Sequence, residues 1–131
     1  MLAALIALAF AAEPVTTIPA PAPVRDPRNW PTPVMDSIGP KLPKLRPGAI
    51  LILSKTNGFR DPEQIEAAKA VLQDLIRKQD RDAFETENAA VMNRRDLAKF
   101  SAIILNSTTG NIFDEGQRAA FRDWIEKGGG V

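Results

Sequence analysis

The 131-residue chain sets 17 Lys and Arg against 16 Asp and Glu, a net charge of +1, and contains neither Cys nor His. A balance this close to neutral creates no large field for nucleic acid or an anionic membrane surface. Without Cys or His there is no disulfide framework, no structural Cys/His zinc site, and no Ser-His or Cys-His nucleophile pair within these residues.

In chain order, Met1–Ala12 (MLAALIALAFAA) comes first and is apolar throughout. It is too short to cross a bilayer as a helix, which takes about 20 residues. An apolar core ending in small residues, here Ala9-Phe10-Ala11-Ala12, suits a secretory signal peptide cleaved near Ala11 or Ala12. The basic flank of such a signal is missing, since no Lys or Arg precedes Arg25; an uncleaved anchor or a buried helix is the competing reading. Export would make the mature protein periplasmic or secreted, with no membrane span after cleavage.

Residues 13–48 hold ten of the eleven prolines. Proline fixes φ and biases its predecessor away from helix, so this stretch reads as an extended linker or arm. Trp30, with Val34 and Met35 nearby, is placed to tack the arm onto a domain surface. A peptide offered to a partner is the alternative.

The domain begins at Ala49–Leu53 (AILIL), an unbroken apolar run between Pro47-Gly48 and Asn57-Gly58. Such a run is a strand buried on both faces, as in a parallel sheet. A polar loop, Ser54–Gly58, leads to Asp61-Pro62 and a helix over Pro62–Lys78. Asp61 is its N-cap, Pro62 takes the first turn, and Gln64 sits at capping-box spacing. Ile65, Ala68, Leu72, Leu75 and Ile76 form the apolar stripe of that helix.

Arg81–Glu87 is a weak strand. Asn93 caps a short helix, Arg94–Phe100, that turns Leu97 and Phe100 inward. Ala102–Leu105 repeats the first strand, and Asn106–Asn111 repeats its polar exit. Asp114 caps the last helix, with Phe121, Trp124 and Ile125 as its apolar face and Gly128 as its end. A further strand starts at Gly129-Gly130-Val131. Alternating strand and helix with short connections specify an α/β parallel sheet. With about three strands present, residues 49–131 read as the N-terminal part of a larger domain.

Ligands of such sheets sit at the carboxyl ends of the strands. After the first strand, Lys55, Thr56, Asn57, Gly58, Arg60 and Asp61 lie beside a helix N-terminus that favours oxygen-rich or anionic groups. Asn106, Thr108, Thr109 and Gly110 occupy the matching exit of the later strand. Ordinary turn chemistry is the plain alternative at both loops. Asp61 and Glu87 are carboxylates at this edge, as solvated loop groups or, more remotely, an acid/base pair. The loop lacks the glycine-lysine-Ser/Thr ending of a P-loop, and no Gly-rich dinucleotide fingerprint is present. A flavin-phosphate loop is the more distant alternative. No catalytic residue, metal or cofactor is assigned.

The Ile50–Leu53 strand, Thr56-Asn57-Gly58-Phe59-Arg60, Thr108-Thr109-Gly110 and Gly128-Gly129-Gly130, in that order, resemble the ThuA-like (trehalose utilisation) family. The resemblance covers Ala49–Val131. It implies a flavodoxin-like three-layer parallel sheet, similar to that of class I glutamine amidotransferases, here truncated. It also implies a role in carbohydrate utilisation with a sugar or glycoside as partner. The chain departs from the family where Asp61 stands in the place usually held by His. Two functions stay open: a sugar-binding or sugar-processing protein, and a non-catalytic remnant or binding module.

Export makes a direct expectation. Mass spectrometry of protein recovered from its native host should find the mature chain beginning near Ala12 or Glu13; intact Met1 in a cytosolic fraction rules the signal out.

Overall fold

Strand β1, Ala49–Leu53, is the centre of the sheet, and Ala49, Leu51, Ile52 and Leu53 are fully shielded from solvent. The computed structural model describes residues 22–131, so the expected signal segment 1–12 lies outside the described residues. β1 pairs in parallel with β2, Ala83–Thr86, on one side and with β3, Phe100–Leu105, on the other. Leu51 stands opposite both Phe84 and Ile103. A run that is apolar at every position suits this place, because both faces of a central parallel strand are covered.

The strand order is β2-β1-β3. Beyond β3, Gly130 forms a parallel bridge to Ala102, the Gly130 N–H donating to Ser101 O at 3.1 Å and the Ile103 N–H to Gly130 O at 2.9 Å. The chain thus moves from β1 to β2 in one direction, returns past β1 to β3, and continues outward. This is an α/β sheet of flavodoxin-like order, and the gap between β1 and β3 is its topological switch point.

Three helices flank it: α1, Pro62–Lys78; α2, Arg94–Leu97; and α3, Glu115–Glu126. Crossovers of one hand place helices from the two directions of travel on opposite faces. One face carries the main core, in which Leu51, Leu53, Met92, Leu97, Phe100 and Ile103 pack together with Phe121, Trp124, Leu42 and Leu45 around them. Ile52, Ile65 and Ile76 are buried apart from that cluster, under α1.

Several expected boundaries shift. β2 is confined to Ala83–Thr86, and α2 ends at Leu97, so that Phe100 opens β3 instead of closing a helix. Phe100 still turns into the core, opposite Ala49, with Ser101 bulging between it and Ala102. The expected stripe of α1 is narrower than its spacing suggests: Ile65 and Ile76 are buried, whereas Leu75 is 53% exposed. A three-stranded sheet offers this helix only a narrow floor, and the flank of the stripe hangs over its side. Ile125 of α3 is likewise exposed at 41%. Of the two capping sites, α3 has the complete reciprocal box between Asp114 and Gln117, while at α1 the Asp61 carboxylate accepts the Gln64 N–H.

The two leucines separate core from overhang. Leu51→Ala should lower the unfolding free energy by about 2–5 kcal/mol, and Leu75→Ala should change it by no more than about 0.5 kcal/mol, both read by denaturant titration. Equal losses would mean that α1 buries its whole stripe.

Candidate functional site

The exits of β1 and β3 do not merely face each other; they are joined. Thr56 and Thr109 form a parallel bridge beyond the ends of the strands, and the Asn57 N–H donates to Thr109 O at 2.8 Å. The Thr109 hydroxyl donates to Phe59 O at 2.6 Å. Gly110 makes the junction possible. Its φ is +74°, and a Cβ there would lie 2.6 Å from the Asn57 carbonyl carbon, closer than any side chain can sit. Gly58 packs against Gly110 from the other loop.

Below the junction, the Asn106 carboxamide donates to Ser54 Oγ at 3.0 Å and to Ile65 O at 3.2 Å, all within the buried interior. Asn106 therefore ties the two strand ends to the start of α1. The Asn57 carboxamide accepts from the Val34 N–H at 3.1 Å and donates to Val34 O at 3.1 Å and to Asn111 O at 2.7 Å. Asn57 and Asn106 thus spend these bonds on protein groups.

Arg60 forms a fork on Glu87, with contacts of 2.9 and 2.7 Å, and its Nη1 also donates to Thr56 Oγ1 at 3.1 Å. The Glu87 hydrogen bond raises the Arg60 pKa above its ordinary value, against the opposing effect of burial, so the guanidinium is always charged. Asp61 caps α1. Thr108 sits half-buried on the β3 exit beside Gly110, which is exposed. All nine expected residues, Thr56 through Asp61 and Asn106 through Gly110, therefore lie on one edge of the sheet, at the switch point. The second carboxylate expected there, Glu87, is also present, but as the partner of Arg60.

Asn29 and Asp36 of the proline-rich arm and Gln117 of α3 also reach this edge, which no local pattern in the sequence signals. The arm crosses the edge. Asn29 exchanges two hydrogen bonds with the backbone of Arg60, at 2.9 and 2.7 Å. Asp36 meets Lys55 Nζ at 2.9 Å, with both side chains largely buried, and also accepts the Ala89 N–H at 2.8 Å. Gln117 Nε2 donates to Asp36 O at 2.7 Å. Trp30 packs edge-on against Phe59 with ring centres 5.7 Å apart, and the Arg25 guanidinium lies 4.1 Å over the Trp30 ring. The expected tacking of the arm by Trp30 is thus present, on Phe59, whereas the neighbouring Val34 and Met35 are 53% and 46% exposed and Val34 docks through its backbone.

The arm has two different attachments. Leu42 and Leu45 pack on the core, and Arg46 pairs with Asp80 and Asp82, each at 2.9 Å. Residues 29–38 are held by Trp30 on Phe59 and otherwise by polar contacts, each of the latter worth about 0.5–1.5 kcal/mol net. Beside this strap, a groove of about 520 Å³ opens between Ser37, Asn93, Arg94 and Gln117 rather than over the joined loops. Among the described residues, no cluster of acidic groups is arranged to hold a metal ion, and no helix is long and apolar enough to cross a membrane.

Residues 49–131 match the family model described as ThuA, trehalose utilisation. No curated protein and no solved structure matches the chain.

The loop junction stands or falls with Gly110. Gly110→Ala should cost at least about 1–3 kcal/mol, the usual penalty of a left-handed non-glycine residue, with the close contact to Asn57 added. An unchanged denaturation midpoint would show that the two loops separate freely.

Proposed function

The chain belongs to the ThuA (trehalose utilisation) family, and on that premise we propose that it binds a sugar or glycoside at the carboxyl edge of its sheet, between the β1 and β3 exits. The observation that carries this reading is the joining of two hydroxyl- and amide-rich loops across the switch point by the Thr56–Thr109 bridge. Parallel α/β sheets receive their ligands at this place. Arg60 brings a planar set of donors suited to a carboxylate or a pair of sugar oxygens, and Thr108 and Thr109 bring hydroxyls. Sugar processing and export to the periplasm or beyond belong to the same proposal, export on the strength of the apolar segment Met1–Ala12.

A non-catalytic binding role is favoured by one specific observation. Asp61, in the place where the family usually has His, has its carboxylate engaged in capping α1. That carboxylate is committed to the helix N-terminus and brings no imidazole nitrogen to the edge.

Calorimetry against a panel of disaccharides and their oxidised forms tests the site. Arg60→Ala should weaken binding at least about tenfold, the equivalent of one lost charge-assisted contact, while circular dichroism stays that of the wild type. Equal affinities of the two proteins for a ligand that binds would remove Arg60 from the site and leave it as a partner of Glu87.

A further inference from the structure

The edge assigned above is crossed by a segment of the same chain. Segment Asn29–Asp36 lies along the β1 exit loop and engages Lys55, Asn57 and the backbone of Arg60. The Asn57 carboxamide reads both backbone groups of Val34, and Lys55 holds the Asp36 carboxylate. The segment forms no strand or helix. Of its apolar side chains, Trp30 rests edge-on against Phe59, whereas Val34 and Met35 face solvent at 53% and 46% exposure. Beyond Gly39-Pro40 the arm changes character, since Leu42 and Leu45 are packed on the core. A segment anchored by leucine packing at one end, and held beyond it by one edge-on aromatic contact and exchangeable polar contacts, can lift from the end remote from those leucines.

We propose that Asn29–Asp36 is an intramolecular strap that occupies the sugar site in competition with ligand, latched by the Asp36–Lys55 ion pair and the Val34–Asn57 amide pair. The proposal rests on the reading of the β1/β3 edge as that site. The strap also marks the ligand chemistry. Its carboxylate on Lys55 and its paired donor and acceptor on Asn57 are what a sugar acid, a uronic or aldonic residue, presents with its carboxylate and hydroxyls. When the strap lifts, Lys55 passes from one carboxylate to another, and neither state strands its charge. A ligand that binds only the open form then has an apparent affinity reduced by the fraction of closed molecules.

The test uses the full chain and Asp36→Asn, which removes the strap's charge and leaves Lys55, Asn57 and Arg60 in place. Hydrogen exchange followed by mass spectrometry reads the latch without any ligand. Peptides spanning residues 29–38 should exchange at least about tenfold faster in the variant, the effect of an equilibrium shifted by one ion pair, while β1 peptides stay at the wild-type rate. Calorimetry with glucuronic acid reads the competition, and the variant should bind about tenfold more tightly than the wild type. Wild-type exchange rates in the strap peptides of Asp36→Asn would overturn the latch. Faster exchange with equal or weaker binding of glucuronic acid would overturn the competition alone. A released strap with no glucuronic acid bound by either protein would overturn the sugar-acid assignment; binding of a neutral disaccharide by both would then spare the site, and binding of nothing in the panel would remove the site itself.

Discussion

A single carboxamide, that of Asn57, joins three stretches of backbone that are far apart in sequence: the exit of β1, the exit of β3 at Asn111, and the arm at Val34. A side-chain amide is suited to this because it offers donors and an acceptor in one plane, and all its partners here are backbone groups. Its position depends on Gly110, whose left-handed backbone and missing Cβ let the two loops approach to contact. Asn106 repeats the device one layer deeper, fastening both strand ends to the first turn of α1. The carboxyl edge of the sheet is therefore rigid in its floor, where a rigid floor positions polar groups for recognition.

The arm above that floor is governed by different physics. At its base, apolar side chains enter the main core and Arg46 is clamped by Asp80 and Asp82. Along the strap, the contacts are the edge-on packing of Trp30 on Phe59, hydrogen bonds and one shielded ion pair. The same proline-rich composition thus yields one portion anchored by apolar packing and another held mainly by polar contacts, according to whether a leucine or a peptide group meets the domain.

Arg60 and Asp61 show how a family motif is reused locally. In Thr56-Asn57-Gly58-Phe59-Arg60-Asp61, the arginine is steadied by Glu87 and Thr56, and the aspartate terminates the loop by capping α1. Phe59, between them, supplies the aromatic edge on which Trp30 of the arm rests. The side chains of Thr56, Asn57, Arg60 and Asp61 thus all contribute to holding the loop in shape.

The elements themselves were legible in the sequence, because local chemistry decides them. The apolar run at Ala49–Leu53, the Asp61-Pro62 start, the Asp114 capping box and the repeated polar exits each carry their own backbone preference, and together they specify a parallel α/β sheet and the edge at which its loops gather. The ends of α2 and β3 were less legible, since the backbone at Phe100 follows the pairing with Ala49 and not its helical spacing from Leu97. The exposure of Leu75 was not legible either, as periodicity measures a stripe and not the width of the sheet beneath it. Only the tertiary structure brought Asp36 to Lys55 and Val34 to Asn57. Such contacts join residues about twenty positions apart through an irregular segment with no period to read, and their partners are backbone groups that every residue possesses. The sequence determined the sheet and the polar loops at its edge; the path of the arm across that edge was decided by packing at Leu42 and Leu45 and by the ion pair that closes it.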